Sequence, residues 1–282
     1  MMDASGVKRA QEESWTGVAP GWVKWDEVLM QGAAPVASRM LALAKIGAGH
    51  RVLDIATGTG EPALAAAARV GPTGAVLGID LCEPMLVFAR EKARRLGLRN
   101  VVFRHGDGEK LDVPAASFDA VTCRCGLMFM PDAHACLGQA RAALRPGGRI
   151  AVACWAEPGK NPWATVPAGI ARRHLGLPAP SPDPPWTFAF SDGDALHRLV
   201  ESGGFRDVET VEDEITWGAF QSAEEATTCV LDVGGPIREM LAAAPPDVRA
   251  AIEQEIRLGY GEFRTTGGVL LPGVTRIVTG TA

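Results

Sequence analysis

No block of Lys and Arg stands anywhere in the 282 residues, and the formal net charge is −5. A general nucleic-acid binder clusters its cations to replace phosphate counterions, so the charge pattern points away from DNA or RNA as a partner. No window approaches the roughly 20 apolar residues that cross a bilayer. The polar start, with Lys8, Arg9, Glu12 and Glu13, lacks the apolar stretch of a signal peptide. The six cysteines, at 82, 123, 125, 136, 154 and 229, are scattered rather than spaced as a framework. They read as reduced, buried thiols, and a cytoplasmic protein with no membrane partner is expected. Tyrosine is nearly absent; Tyr260 is alone. What remains, 47% hydrophobic and 22% charged residues, is an ordinary globular composition, with a core large enough to need neither disulfides nor metals.

Apolar periodicity predicts helices over the first fifty residues, with Trp15, Trp22 and Trp25 followed by a run from Pro35 to Ile46. Then the pattern changes. Strands are predicted at Arg51–Ile55, Ala75–Ile79, Val101–Arg104, Phe118–Cys123 and Arg149–Trp155. Helices between them are expected at Glu61–Val70, Glu83–Leu96 and Ala133–Leu144. This alternation implies right-handed crossovers and a parallel sheet covered on both faces, with ligands at the carboxyl ends of its strands. A proline-rich stretch, residues 157–190, interrupts it with a short helix at Val166–Leu175 and prolines at 178, 180, 182, 184 and 185. A helix at Asp194–Ser202, a strand at Val208–Trp217, helical turns from Ser222 to Gly259 and a last strand at Val274–Thr279 complete the reading. The expected division is a helical cap over 1–48, a core of 49–217 with 269–282, and a helical lid over 218–268 inserted between the last two strands.

The segment Leu53-Asp54-Ile55-Ala56-Thr57-Gly58-Thr59-Gly60-Glu61 carries most of the chemistry. Two glycines between a buried strand and a helix let the backbone turn tightly and approach a ligand. The loop also fits a loose dinucleotide pattern, with Ala63 at the third small position. Charge separates the alternatives. Asp54 and Glu61 flank the loop and would repel a pyrophosphate, but they suit a ligand carrying a sulfonium and an amine. Asp80 lies 20 residues beyond Gly60, at a strand end, where a carboxylate accepts ribose hydroxyls in either reading. Gly106-Asp107-Gly108-Glu109 follows the third strand. There a carboxylate can take the exocyclic amine of adenine while the glycines keep the backbone near the ring; taken alone, it is also an ordinary turn sequence.

Together, VLDIATGTGEPAL, GIDLCEPML, FRHGDGEKLDVPAASFDAVTCRCGLMFMPD and LRPGGRIAV resemble the class I S-adenosylmethionine-dependent methyltransferases, most of all the broad group that includes quinone-biosynthesis enzymes (methyltransferase type 11-like). The resemblance implies a Rossmann-like α/β fold: a seven-stranded, mostly parallel sheet, its last strand antiparallel, plus N-terminal helices and a lid. It implies that Asp54, Ala56, Thr57, Gly58 and Gly60 surround the methionine moiety, and that Asp80, Leu81 and Met85 hold the ribose and adenosine. Gly106, Asp107 and Gly108 would meet adenine, and Arg124 would lie with its backbone near the methionine amine. Ala56 departs from the family, where glycine is common.

Methyl transfer is an in-line displacement at an activated carbon, so the protein mainly aligns the reactants and excludes water. A general base is needed only for a tightly held proton. Asp132 and His134 are the base candidates, with helix capping the plainer account of Asp132. Trp22, Trp25, Met128 and Tyr260 are candidates for the acceptor pocket; the tryptophans serve equally well as anchors for their helix, and Met128 as core. Cys123 and Cys125 share a strand face, but their spacing is not that of a zinc knuckle, so no metal is expected. The expected function is methylation of a small, partly apolar acceptor at oxygen, nitrogen or carbon. Two alternatives stand: a natural-product enzyme using the same cofactor for cyclisation, and, more remotely, a nicotinamide-dependent oxidoreductase.

Overall fold

The computed structural model describes residues 4–179 and 185–282. Pro180, Pro182 and Pro184 of the proline-rich stretch lie outside the described residues. The chain opens with two long helices, α1 (Ala4–Lys24) and α2 (Asp26–Leu43), which carry Pro20 and Pro35 in their interiors. Five strands follow: β1 (Arg51–Ile55), β2 (Ala75–Asp80), β3 (Val101–His105), β4 (Phe118–Arg124) and β5 (Leu144–Trp155). The helices α3 (Ala63–Val70), α4 (Glu83–Arg95) and α5 (Ala133–Ala143) connect them, with α6 (Pro162–Leu175) and α7 (Ala195–Ser202) after β5. Next come β6 (Arg206–Phe220), the helices α8 (Ala223–Val233), α9 (Gly235–Ala242) and α10 (Pro246–Gly261), a two-residue β7 (Arg264–Thr265) and the long β8 (Gly268–Thr281).

The local reasons are ordinary ones. Four of the five β1 residues are buried, as expected of a strand covered on both faces. In α3, Ala63, Leu64, Ala66, Ala67 and Val70 form a small-residue face that lies close on the sheet. That helix begins two residues later than predicted, because Glu61 and Pro62 belong to the turn. Asp132 caps α5 by accepting the Ala135 N–H at 2.9 Å, and Ser222 caps α8 through the Glu225 N–H.

Strand order is β3-β2-β1-β4-β5-β8-β6, with β7 paired to β8 at the margin. The first five strands are parallel, and β8 runs antiparallel to both β5 and β6. The sheet therefore has eight strands where the sequence predicts seven. The extra one is the short hairpin partner that Thr265 and Gly268 make with each other. Strand β8 is also much longer than the predicted Val274–Thr279. It runs through Pro272 and Gly273, and the pairing absorbs this with an irregularity between Thr216 and Gly218 of β6. One apolar cluster, around Leu137, Ile150, Leu196 and Val200, lies on one side of the sheet; another, around Met40, Leu64, Ala66 and Leu86, lies on the other. The chain order reverses between β1 and β4. Open α/β sheets take ligands outside the carboxyl ends of the strands at such a reversal.

No described helix is long and apolar enough to cross a membrane.

Candidate cofactor and active site

Three loops leave the sheet at neighbouring strand ends and make the candidate site. The first follows β1. Ala56, Gly58 and Gly60 all have positive φ, at 56°, 53° and 108°. Glycine adopts this region freely, whereas an L side chain at Ala56 sits in the left-handed well at a cost of about 1 kcal/mol. The loop is fixed from below by Thr57 N–H to Ile79 C=O at 3.1 Å and from the side by Gly58 N–H to Asp80 Oδ2 at 2.7 Å. A side chain on Gly60 would run into Leu64 at 2.9 Å.

Asp54 lies under this loop, fully buried. Its Oδ1 accepts the Thr122 hydroxyl at 2.7 Å, while Oδ2 has no partner among the described residues, and neither has the hydroxyl of Thr57. Burial pushes the Asp54 carboxyl up to about 7, against the pull of the Thr122 hydrogen bond, the Thr57 hydroxyl that lies close by outside bonding geometry, and the Arg124 charge. Burial likewise raises Glu61, which accepts the Ala65 N–H at 3.3 Å.

The second loop begins at Asp80. Its two oxygens accept Gly58 N–H and, at 2.8 Å, Cys82 N–H, so the carboxylate ties the β1 and β2 loops together. Each oxygen keeps a lone pair for a further donor. Burial raises this carboxyl too, and the two N–H groups oppose it. Leu81 is half-buried beside it, and Met85 packs in α4 against Cys82 and Ala19 of α1.

The third loop follows β3. Gly106 N–H bonds Asp80 C=O at 3.0 Å, and a side chain on Gly108 would strike Ile55 at 2.7 Å. Asp107 Oδ1 accepts Glu109 N–H, and its Oδ2 receives Lys8 Nζ at 2.6 Å. Lys8 also pairs with Glu109 Oε2 at 2.5 Å, and Glu109 Oε1 accepts Asp132 N–H at 3.0 Å. Burial works to lower the Lys8 ammonium, but the hydrogen bonds it donates to both carboxylates hold it above its usual range. Lys8 and Glu109 are residues that sequence reasoning missed; Glu109 follows the adenine-type acid by two positions, whereas Lys8 has no local signal. Gly126 was missed as well. It carries the β4 loop so close to the β1 loop that its Cβ would fall 2.3 Å from Ala56 Cβ.

Over these loops lies α1. Trp15 meets Phe129 edge-on at 5.0 Å, and Trp15 and Trp22 pack about Ala19, Cys82 and Met85. The Trp22 indole donates to Val233 C=O at 3.1 Å and that of Trp25 to Asp232 at 2.8 Å, tying the α1–α2 junction to α8. Met128 is buried in the turn after β4, its carbonyl accepting Trp186 N–H. Tyr260 is fully buried in α10, its hydroxyl donating to Trp163 C=O at 2.6 Å. Asp132 is exposed at its cap position, and His134 is exposed on α5. Burial lifts the Cys123 thiol to about 12 and that of Cys125 to about 11, so neither is a thiolate near neutrality. No group of His, Cys, Asp and Glu suited to a metal ion exists among the described residues.

A glycine-built cradle, an acid at or just past each of three adjacent strand ends and buried oxygens without partners among the described residues suit a cationic nucleoside ligand. Comparison with known proteins specifies it further. A family model described as a methyltransferase domain matches residues 46–168. Nocamycin O-methyltransferase of Saccharothrix syringae is 32% identical over 235 residues, covering 79% of this chain and 81% of that protein. Demethylmenaquinone methyltransferase of Listeria welshimeri is 36% identical over 126 residues, 45% of this chain and 53% of that enzyme. Among solved structures, the YcgJ protein of Bacillus subtilis shares the fold, with a TM-score of 0.54 at 19% identity, over 88% of this chain and 98% of that one. The chain belongs to the class I S-adenosylmethionine-dependent methyltransferases. Its cofactor is S-adenosylmethionine, and the nicotinamide alternative falls away.

Proposed function

We propose that this enzyme methylates a small, partly apolar acceptor, with a hydroxyl as the first atom to test. The carrying observation is the aromatic roof of Trp15, Trp22 and Phe129, which bridges from the Met85 side of the cofactor crevice to the turn after β4. Indoles favour a flat or apolar body beneath them and exclude water from the reacting atoms. The relative that this chain matches over most of its length is an O-methyltransferase acting, by its name, on nocamycin, and this supports oxygen as the acceptor atom.

In this reading Ala56, Thr57, Gly58 and Gly60 hold the methionine moiety, with Asp54 beneath it. Asp80 accepts the ribose hydroxyls, with Leu81 and Met85 against the adenosine. Gly106, Asp107 and Gly108 receive the adenine edge. Bound S-adenosylmethionine supplies an electrophilic methyl carbon, and the residues named here fix its direction and keep it dry. Residues 218–268 serve as a lid and residues 1–48 as a cap, since α8 and α9 pack against α1, and α10 against α6 and α8. Trp22, Trp25, Met128 and Tyr260 contribute to the wall around the acceptor, Tyr260 through its hold on Trp163. Asp132 and His134 stand nearest the role of base. Both are exposed, which suits an acceptor that needs little help in losing its proton.

The test is transfer of a tritiated methyl group from S-adenosylmethionine to a panel of phenols, enols and amines. Label in the hydroxylated members and not in the amines is the expected result. Cofactor that binds but never gives label to any acceptor would support cyclisation or other non-methylating chemistry instead.

A further inference from the structure

Arg124 ends β4 and lies two residues beyond Thr122, so the two share a face of the strand, the one on which Thr122 meets Asp54. Its Nη2 donates to Glu61 C=O at a long 3.3 Å, and its buried Nε has no partner among the described residues. The guanidinium is close enough to Asp54 and Glu61 for its charge to favour their ionised forms. A buried arginine N–H left without an acceptor is costly, and native structures rarely tolerate one unless something else fills the role. The fully buried Asp54 has the complementary deficit, an oxygen without a donor. Near one glycine loop, therefore, a buried carboxyl oxygen and a buried arginine N–H are both left without partners among the described residues.

Only one portion of the cofactor carries both signs on adjacent atoms: the amino-acid end, where an ammonium and a carboxylate share one carbon. We propose that the Arg124 side chain binds the carboxylate of that end, while the Asp54–Glu61 side receives the ammonium. This rests on the cofactor site assigned above and adds to it a side-chain role for a residue whose backbone alone was expected to matter. A planar fork suits a carboxylate better than the point charge of lysine, because it can donate two parallel hydrogen bonds. The competing account is that Arg124 only neutralises the two acids, in which case its loss would harm every ligand of the site alike.

The two accounts separate by calorimetry with three ligands. These are S-adenosylhomocysteine, its decarboxylated analogue (which keeps the amine) and methylthioadenosine, which lacks the amino-acid end altogether. Arg124→Met is expected to weaken S-adenosylhomocysteine about 10- to 100-fold, the worth of a charge-assisted hydrogen bond. The other two ligands should change by less than about twofold, and Arg124→Lys should recover part of the loss. The wild-type protein supplies a check that needs no variant: it should prefer S-adenosylhomocysteine to the decarboxylated analogue by about tenfold or more. Equal affinity for those two, or a uniform loss of all three ligands in Arg124→Met, overturns the proposal. A wild-type protein that binds none of the three would overturn the site assignment itself.

Discussion

The buried Asp54 makes the stability of the ligand-free protein depend on pH in a calculable way. Burial lifts its folded-state value from 3.8 to about 7. The unfolded chain therefore releases this proton near pH 4 and the folded chain near pH 7. Between those limits the folded state holds more protons, so stability falls as pH rises. The contribution is complete below the unfolded value and is lost as pH climbs through the folded one. Between about pH 5 and pH 8, this one carboxyl should remove roughly 2–3 kcal/mol. Asp54→Asn keeps the shape and cannot ionise, so it should lose that much less over the same interval. Glu61 and Asp80, also raised by burial, are common to both proteins and cancel in the difference. Urea denaturation of the two proteins at several pH values, without cofactor, measures it. Parallel stability curves would refute the assignment of the raised carboxyl to Asp54.

Asp80→Ala should weaken S-adenosylhomocysteine binding by about 1–3 kcal/mol, since the residue holds the β1 loop and, in the proposed reading, accepts the ribose hydroxyls; an unchanged dissociation constant by calorimetry would count against the ribose role. Tyr260→Phe should cost about 1 kcal/mol of stability through the lost bond to Trp163 C=O. Its turnover should stay within a few-fold of wild type at low temperature, and a loss of several orders of magnitude in kcat with intact folding would place the hydroxyl in the chemistry instead.

Much of the site was legible because its demands are local. A strand carrying an acid and then two glycines must occur in that order for a tight turn to meet a ligand, and Asp54, Gly58 and Gly60 fall close together in the chain for that reason. Asp80 and Asp107 stand at the ends of the next two strands, one crossover apart each time. The chain order and the strand–helix alternation fixed the parallel half of the sheet as well. Other features were hidden because they are made by contacts between distant segments. Lys8 meets Asp107 across 99 positions, and nothing around Lys8 marks it among other surface lysines. Gly126 matters only because the β1 loop passes within 2.3 Å of where its side chain would be. Sequence alone predicts β8 only over Val274–Thr279, since Pro272 and Gly273 break a strand pattern, and it is pairing with β6 that carries the strand through them. Trp22 and Trp25 could not be assigned from spacing, since a pocket wall and an anchored indole use the same helix face. Their indole bonds to Val233 and Asp232 hold the rings in place, which both roles require.

The place of β8, between β5 and β6, sets the order in which a newly made chain can settle. The segment that joins those two strands follows both of them in the chain. Until it arrives, the edges of β5 and β6 that it will pair stay open to other molecules. Such late, long-range pairing slows folding and exposes the nascent chain to aggregation, so production in a foreign host should improve with lower temperature and added chaperones.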